Sequence, residues 1–142
     1  MLPRPIKKFA DLFATLPSLG PRQATRLAFH IASRGKAEIA ELASALAALG
    51  ELRACAECFR RFGEHEGVTE KKLCRICAAP DRNHATIAIV EKETDLSSIE
   101  ATKKFSGRYL VLGEIARDGV LNPEQKLRLA YLKRTIVKRF GK

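Results

Sequence analysis

Cys55-Ala56-Glu57-Cys58 and, fifteen residues on, Cys74-Arg75-Ile76-Cys77 account for all four cysteines of the 142-residue chain. Each C-x-x-C pair forms a tight knuckle that aims two sulfurs at one point. Two knuckles make a closed, tetrahedral, four-thiolate shell suited to one structural Zn²⁺, with Cys55, Cys58, Cys74 and Cys77 as ligands. A closed shell leaves no position for a reacting water, so the metal holds structure rather than performing chemistry. The alternative is a pair of disulfides, which needs an oxidising compartment. Residues 1–20 show no long apolar run with a small-residue cleavage site, and no stretch has membrane-spanning length. A thioredoxin-like dithiol needs only one C-x-x-C.

The sequence on either side of the cysteine module is basic. Arg4, Lys7, Lys8, Arg22, Arg26 and Arg34 face only Asp11 in residues 1–34, and Lys126, Arg128, Lys133, Arg134, Lys138, Arg139 and Lys142 face only Glu124 in residues 123–142. The whole chain carries a net +10, with 46% apolar and 30% charged residues. Two basic ends around a near-neutral centre point to a polyanionic partner, although charged residues that only solubilise helices give the same tally.

Before the cysteines the apolar spacing is helical. Ile6, Phe9, Leu12, Phe13 and Leu16 mark a helix over 6–16. Pro17-Ser18-Leu19-Gly20-Pro21 is a tight connection, and Pro21 suits the first position of a helix running to about Ser33. Ala24, Leu27, Ala28 and Ile31 lie on its inner face, with His30 packed nearby. A third helix runs from Ala37 to about Leu49 and stops at Gly50. After the cysteines, Thr86-Ile87-Ala88-Ile89-Val90 reads as a buried strand and Asp95 to about Thr102 as a helix capped by Asp95 or Thr94. Tyr109-Leu110-Val111-Leu112 reads as a second buried strand, and 123–139 as a last helix. This order implies parallel strands.

The first two helices and their turn are a helix-hairpin-helix candidate. Free N–H groups at a helix N-terminus attract phosphate, and Gly20 has no Cβ to obstruct it. Arg22 and Arg26, one turn apart, flank that point, with Lys7, Lys8, Ser18 and Gln23 completing the expected DNA contact. Such contacts read backbone rather than base. An ordinary αα-hairpin is the competing reading.

Leu16-Pro17-Ser18-Leu19-Gly20-Pro21-Arg22-Gln23-Ala24-Thr25-Arg26-Leu27-Ala28-Phe29-His30 resembles the hairpin segment of the bacterial RecR recombination-mediator family. The likeness continues through the four cysteines into Ile89-Val90-Glu91, Asp95, Ile99-Glu100 and Gly107-Arg108-Tyr109-Leu110-Val111-Leu112-Gly113, which is similar to the start of that family's Toprim domain. The resemblance implies a multi-module α/β chain: a helix-hairpin-helix region (1–52), a four-cysteine zinc finger (53–80) and a partial Toprim-type parallel domain (81–142). It implies a non-catalytic cytoplasmic, nucleoid-associated mediator of recombinational repair that works with RecO or RecF to load RecA on single-stranded DNA. It also implies a homo-oligomeric ring or dimer, with Glu91 and Asp95 contacting a protein partner. Ser18 stands where the family usually has glycine, only Asp118-Gly119 resembles the family's Ser-Pro-Leu-Asp-Gly run, and the chain stops at Lys142 before further Toprim strands.

Catalytic Toprim domains hold Mg²⁺ with a glutamate and a D-x-D pair. Glu91 is present and no D-x-D occurs. Mg²⁺ needs several close oxygen ligands, so the sequence argues against a nuclease or primase-like enzyme, the main alternative. A module that binds only a protein partner is the third reading. His65 and His84 read as isolated, and four cysteines leave them no metal to hold.

Overall fold

The computed structural model describes residues 1–68 and 70–140, with only the backbone of 139 and 140. Lys142, counted above in the basic end, lies outside them, and nothing is described of the Arg139 side chain. The chain divides into two compact units, Met1–Gly50 and Glu51–Lys142.

The first unit is helical. α1 (Arg4–Phe13) and α2 (Pro21–Ala32) pack on each other through Ile6, Ala10, Ala24 and Ala28, all buried. Alanines at this seam let the helix backbones approach closely. Pro21 occupies the first position of α2, where its missing N–H has no intrahelical acceptor to serve. Phe9 and Phe13, one turn apart, stack with centroids 3.9 Å apart. α3 (Lys36–Leu49) follows and buries none of its residues. Three expectations change here. Leu12 and Leu16 are exposed rather than packed, because the α1–α2 seam runs through the Ile6/Ala10 stripe. His30 is also exposed, and its Nε2 lies 3.2 Å from the Arg34 guanidinium.

In the second unit the cysteine module is two small antiparallel hairpins. β1 (Arg53–Ala54) pairs with β2 (Arg61–Phe62), and β3 (Gly67–Val68) with β4 (Leu73–Cys74). A one-turn helix, α4 (Arg75–Ala78), follows directly. Then come β5 (Asn83–Val90), α5 (Glu93–Ala101) and β6 (Gly107–Val111), with β5 and β6 parallel as the segment order implied. α6 (Pro123–Phe140) is the last element among the described residues. The outcome is the α/β multi-module architecture expected from the sequence.

One core serves hairpins and sheet together. Phe62, Ile76 and the four cysteines pack with Val90, Leu96, Tyr109 and Val111. The Val111 N–H donates to the Cys58 carbonyl at 2.8 Å, which joins β6 to the first knuckle through backbone alone.

The two strands differ in burial. Every residue of β6 is buried, whereas in β5 only Val90 is, and Ile89 is 53% exposed. β5 is therefore not the buried strand its apolar run suggested. The sheet has two strands among the described residues, so β5 is an edge with little laid over it. Its pairing jumps from Asn83↔Gly107 to Ile87↔Arg108, leaving residues 84–86 as a bulge. Gly107 sits under that bulge. A Cβ there would lie 2.7 Å from the Thr86 carbonyl oxygen and 2.5 Å from the Phe105 ring.

The start of α5 also differs from expectation. The residue preceding the helix is Lys92, and Asp95 lies inside the first turn, where its carboxylate accepts the Lys92 N–H at 3.0 Å. Asp95 thus caps the helix from the third helical position, the reverse half of a capping box.

Candidate metal centre and nucleic-acid interface

The four cysteine sulfurs lie within 4.8 Å of one another, and all four residues are buried. Cys58 and Cys74 Sγ are 3.6 Å apart. A tetrahedral thiolate site with metal–sulfur bonds of ~2.3 Å has sulfur–sulfur edges of about 3.8 Å, so the spacing suits a small soft cation such as Zn²⁺. The knuckles are built by backbone. The Phe59 N–H donates to Cys55 O at 3.0 Å and the Cys55 N–H to Arg60 O at 2.8 Å. Phe59 (φ 62°) and Lys72 (φ 52°) take left-handed conformations just outside the ligand pairs. The Cys74 N–H donates to Cys55 Sγ at 3.4 Å, a contact that favours sulfur as thiolate.

The thiols shape one another's ionisation. Hydrogen bonding from Cys58 pushes Cys55 far down. Hydrogen bonding to Cys55 pushes Cys58 and Cys77 up. Four buried sulfurs this close do not all ionise against one another without a positive ion at their centre.

Two side-chain networks brace the site. Arg108 on β6 forms an ion pair with Glu57, which lies between the first two cysteines, and its Nη2 is 3.3 Å from His84 Nε2. His84 is therefore engaged rather than isolated; the bulge in β5 turns it toward Arg108. On the outer side, Phe59 meets Tyr131 edge-on at 5.5 Å, and the Arg128 guanidinium lies 5.2 Å over the Phe59 ring. Arg128 also donates to Val111 O at 2.9 Å. A third cluster joins Arg82 to Glu100, whose carboxylate accepts the Tyr109 hydroxyl at 2.8 Å. Sequence reading assigned none of these three. Glu57 within a C-x-x-C carried a weak signal, since a charge there needs a partner once the knuckle is buried.

The hairpin residues belong to the first unit. Gly20 precedes α2 with φ −79° and ψ 166°, an extended conformation open to any residue. A Cβ on it would lie 2.9 Å from Gln23 Oε1, the movable end of a side chain. Ser18 has φ 64°, the left-handed conformation that glycine adopts without strain. Arg22, Gln23, Arg26, Lys7 and Lys8 are exposed. Lys7 shares a cavity of about 500 Å³ with Pro21 and Thr25, which places it beside the start of α2. Lys8 lies on the same helix outside that lining.

Glu91 is exposed and its carbonyl accepts the Gly113 N–H at 3.0 Å, while Asp95 is committed to the helix start. Among the described residues, no helix is long and apolar enough to cross a membrane.

The family profile described as RecR, helix-hairpin-helix, matches residues 6–49, which span α1 to α3. Proteins named Recombination protein RecR are similar over most of the chain. That of Frankia alni is 38% identical over 119 residues, 83% of this chain and 54% of the relative. That of Gloeobacter violaceus is 38% identical over 124 residues, 87% of this chain and 57% of the relative. That of an Anaeromyxobacter species is 39% identical over 127 residues, 87% and 61% respectively. The chain thus spans somewhat over half the length of the relatives it matches. With the hairpin profile over residues 6–49 and these relatives matching 83–87% of the chain, the chain is similar to the RecR recombination proteins across most of its length.

Proposed function

We propose that this chain is a non-catalytic, zinc-containing DNA-binding mediator of recombinational repair. The observation that carries the reading is the start of α2. Gly20 and Pro21 leave the helix N-terminus open, and Arg22 and Arg26 beside it are exposed and form no ion pair among the described residues. Unneutralised cations flanking a helix N-terminus suit a phosphate. Lys7, Lys8, Ser18 and Gln23 extend the contact. Cys55, Cys58, Cys74 and Cys77 hold one Zn²⁺, which ties the hairpins to the β5–β6 sheet.

On this reading the 53–80 module organises a Toprim-type segment over 81–142, with the 1–52 region facing DNA. Glu91 and Asp95 belong to a protein-contact surface rather than a Mg²⁺ site. RecO or RecF is the partner in loading RecA onto single strands, the working form is a homo-oligomer, and the place of action is the cytoplasmic nucleoid. The names of the relatives and the hairpin support this reading.

The test is DNA binding by the metal-loaded chain across salt concentrations, read by fluorescence anisotropy. Replacing Arg22 and Arg26 together with glutamate removes two phosphate contacts. The slope of log affinity against log salt should flatten by about 1.4 on single strands and about 1.8 on duplex. Unchanged affinity and slope would reject the hairpin as the DNA contact. Mg²⁺-dependent cleavage abolished by Glu91→Ala would reject the non-catalytic reading.

A further inference from the structure

We propose that the cavity between the cysteine knuckles and α5, rimmed by Arg60, Arg75 and Lys103, binds a phosphate of a nucleic-acid strand. This would be a second contact, in the Glu51–Lys142 unit and separate from the hairpin, and it rests on the DNA-binding reading above.

The cavity has a volume of about 500 Å³. Two of its rim cations come from positions beside the cysteine knuckles, and the third from the end of α5. Arg60 follows Cys58 by two residues, and its carbonyl accepts the Cys55 N–H at 2.8 Å. Arg75 directly follows Cys74 and opens α4. Lys103 stands across from them at the end of α5, held at φ 55° with its N–H donating to Glu100 O at 3.1 Å. Cations on a fixed backbone lose little freedom when an anion arrives.

The charges inside the cavity are not balanced. Arg82 also lines it, but its guanidinium is engaged by Glu100 and by the carbonyls of Phe105 and Gly107. Arg75 and Lys103 form no ion pair among the described residues, and Arg60 acts on Glu100 through space without an ion-pair contact. The carboxylates of the lining are Asp81, which is exposed, and Glu100, which Arg82 and Tyr109 engage. Guanidinium forks match phosphate oxygens in a way a lone surface lysine does not.

The lining also indicates which part of the ligand is read. It contains no aromatic ring, and its apolar members, among them Ala79, Ile76 and Leu96, are small or largely buried. A nucleobase has nothing to stack on there. The cavity therefore suits the sugar–phosphate chain, without sequence preference.

The decisive experiment uses the full, metal-loaded chain and a fluorescent oligothymidylate, with two variants. Arg75→Gln removes a rim cation beside the metal centre. Lys103→Gly removes a cation while supplying the residue best suited to a positive φ, so the fold should not suffer. Each should weaken strand binding about three- to tenfold at low salt and flatten the salt slope by about 0.7 per contact, with metal content and thermal midpoint retained. Unchanged affinity and slope in Lys103→Gly overturns the proposal.

The arms separate it from the hairpin reading. If charge reversal at Arg22 and Arg26 removes binding while both rim variants match wild type, this cavity alone is rejected. If the rim variants lose binding and the hairpin variant does not, the cavity stands and the hairpin reading falls. If thymidine monophosphate or orthophosphate shifts the Lys103 amide resonance while strand binding ignores both rim variants, the occupant is a small phosphate. Assignment to a strand is then overturned.

Discussion

Arg108 and Glu57 form an ion pair that locks strand β6 to the first cysteine knuckle, with side-chain exposures of 10% and 27%. The two sites are unequal. Neutralising Glu57 leaves a guanidinium in the interior without its carboxylate and with only the neighbouring His84 beside it, whereas removing Arg108 leaves a carboxylate that can reach water. Glu57→Gln should therefore destabilise the metal-loaded protein by about 2–4 kcal/mol. Urea unfolding is the check; a loss under about 0.5 kcal/mol would show that the pair does not brace the knuckle.

Ser18 holds a left-handed backbone that favours glycine. Ser18→Gly should relieve that strain, giving a neutral change or a gain of up to about 1 kcal/mol rather than the loss normally expected from an added glycine. Slower amide exchange in the first turn of α2 would show the gain. Faster exchange there would mean the serine conformation is supported by something other than local geometry.

Gly107 is required for close approach rather than for an unusual φ. A methyl group would collide with the Thr86 carbonyl, which belongs to the backbone and cannot swing aside. Gly107→Ala should lower stability by about 1–3 kcal/mol through overpacking at the bulge. Thermal unfolding measures it, and an unshifted midpoint would mean the bulge absorbs the added group.

Burial and the bond to Glu100 push the Tyr109 hydroxyl up to about 12. Burial raises Glu100, but hydrogen bonds from Arg82 and Tyr109 outweigh it and leave that carboxyl lowered. The raised tyrosine contributes stability fully present below pH ~10 and lost as pH rises toward the folded value. The lowered carboxyl contributes stability present above pH ~4.3 and lost as pH falls through its folded value. Tyr109→Phe should reduce stability at neutral pH by about 1–2 kcal/mol and abolish its share of the alkaline decline. If the alkaline limb keeps its slope in the variant, another group sets it.

Removing the metal should act on one unit. Chelation, or Cys74→Ser, takes the centre out of the core that also contains Phe62, Leu96 and Tyr109. The Glu51–Lys142 unit should lose its tertiary signals, while the α1–α2 pair, which has a separate apolar seam, keeps its helical exchange protection. About one zinc per chain should be released. Simultaneous loss of protection in both units would show that the first depends on the second.

The elements of this chain were legible because their signals are local. Proline at the start of α2, the alanines on its inner face and the paired C-x-x-C each act within a few residues. Errors arose where burial decides. Leu12 and Ile89 are apolar yet exposed, since periodicity marks a face without saying what covers it. Asp95 reads as a residue preceding a helix and instead accepts the Lys92 N–H from inside the first turn, because the helix starts two residues earlier.

From residue types and spacing alone follow the four-sulfur centre, the proline-opened hairpin, the parallel strands and the basic ends, because each rests on short-range stereochemistry or on charge that needs no partner. Tertiary structure alone decided that Glu57 meets Arg108 across 51 residues, that Glu100 serves Arg82 and Tyr109 together, and that Arg60, Arg75 and Lys103 share one cavity. Pairings of that kind depend on how separate segments fill a common core, and no window of sequence contains that information.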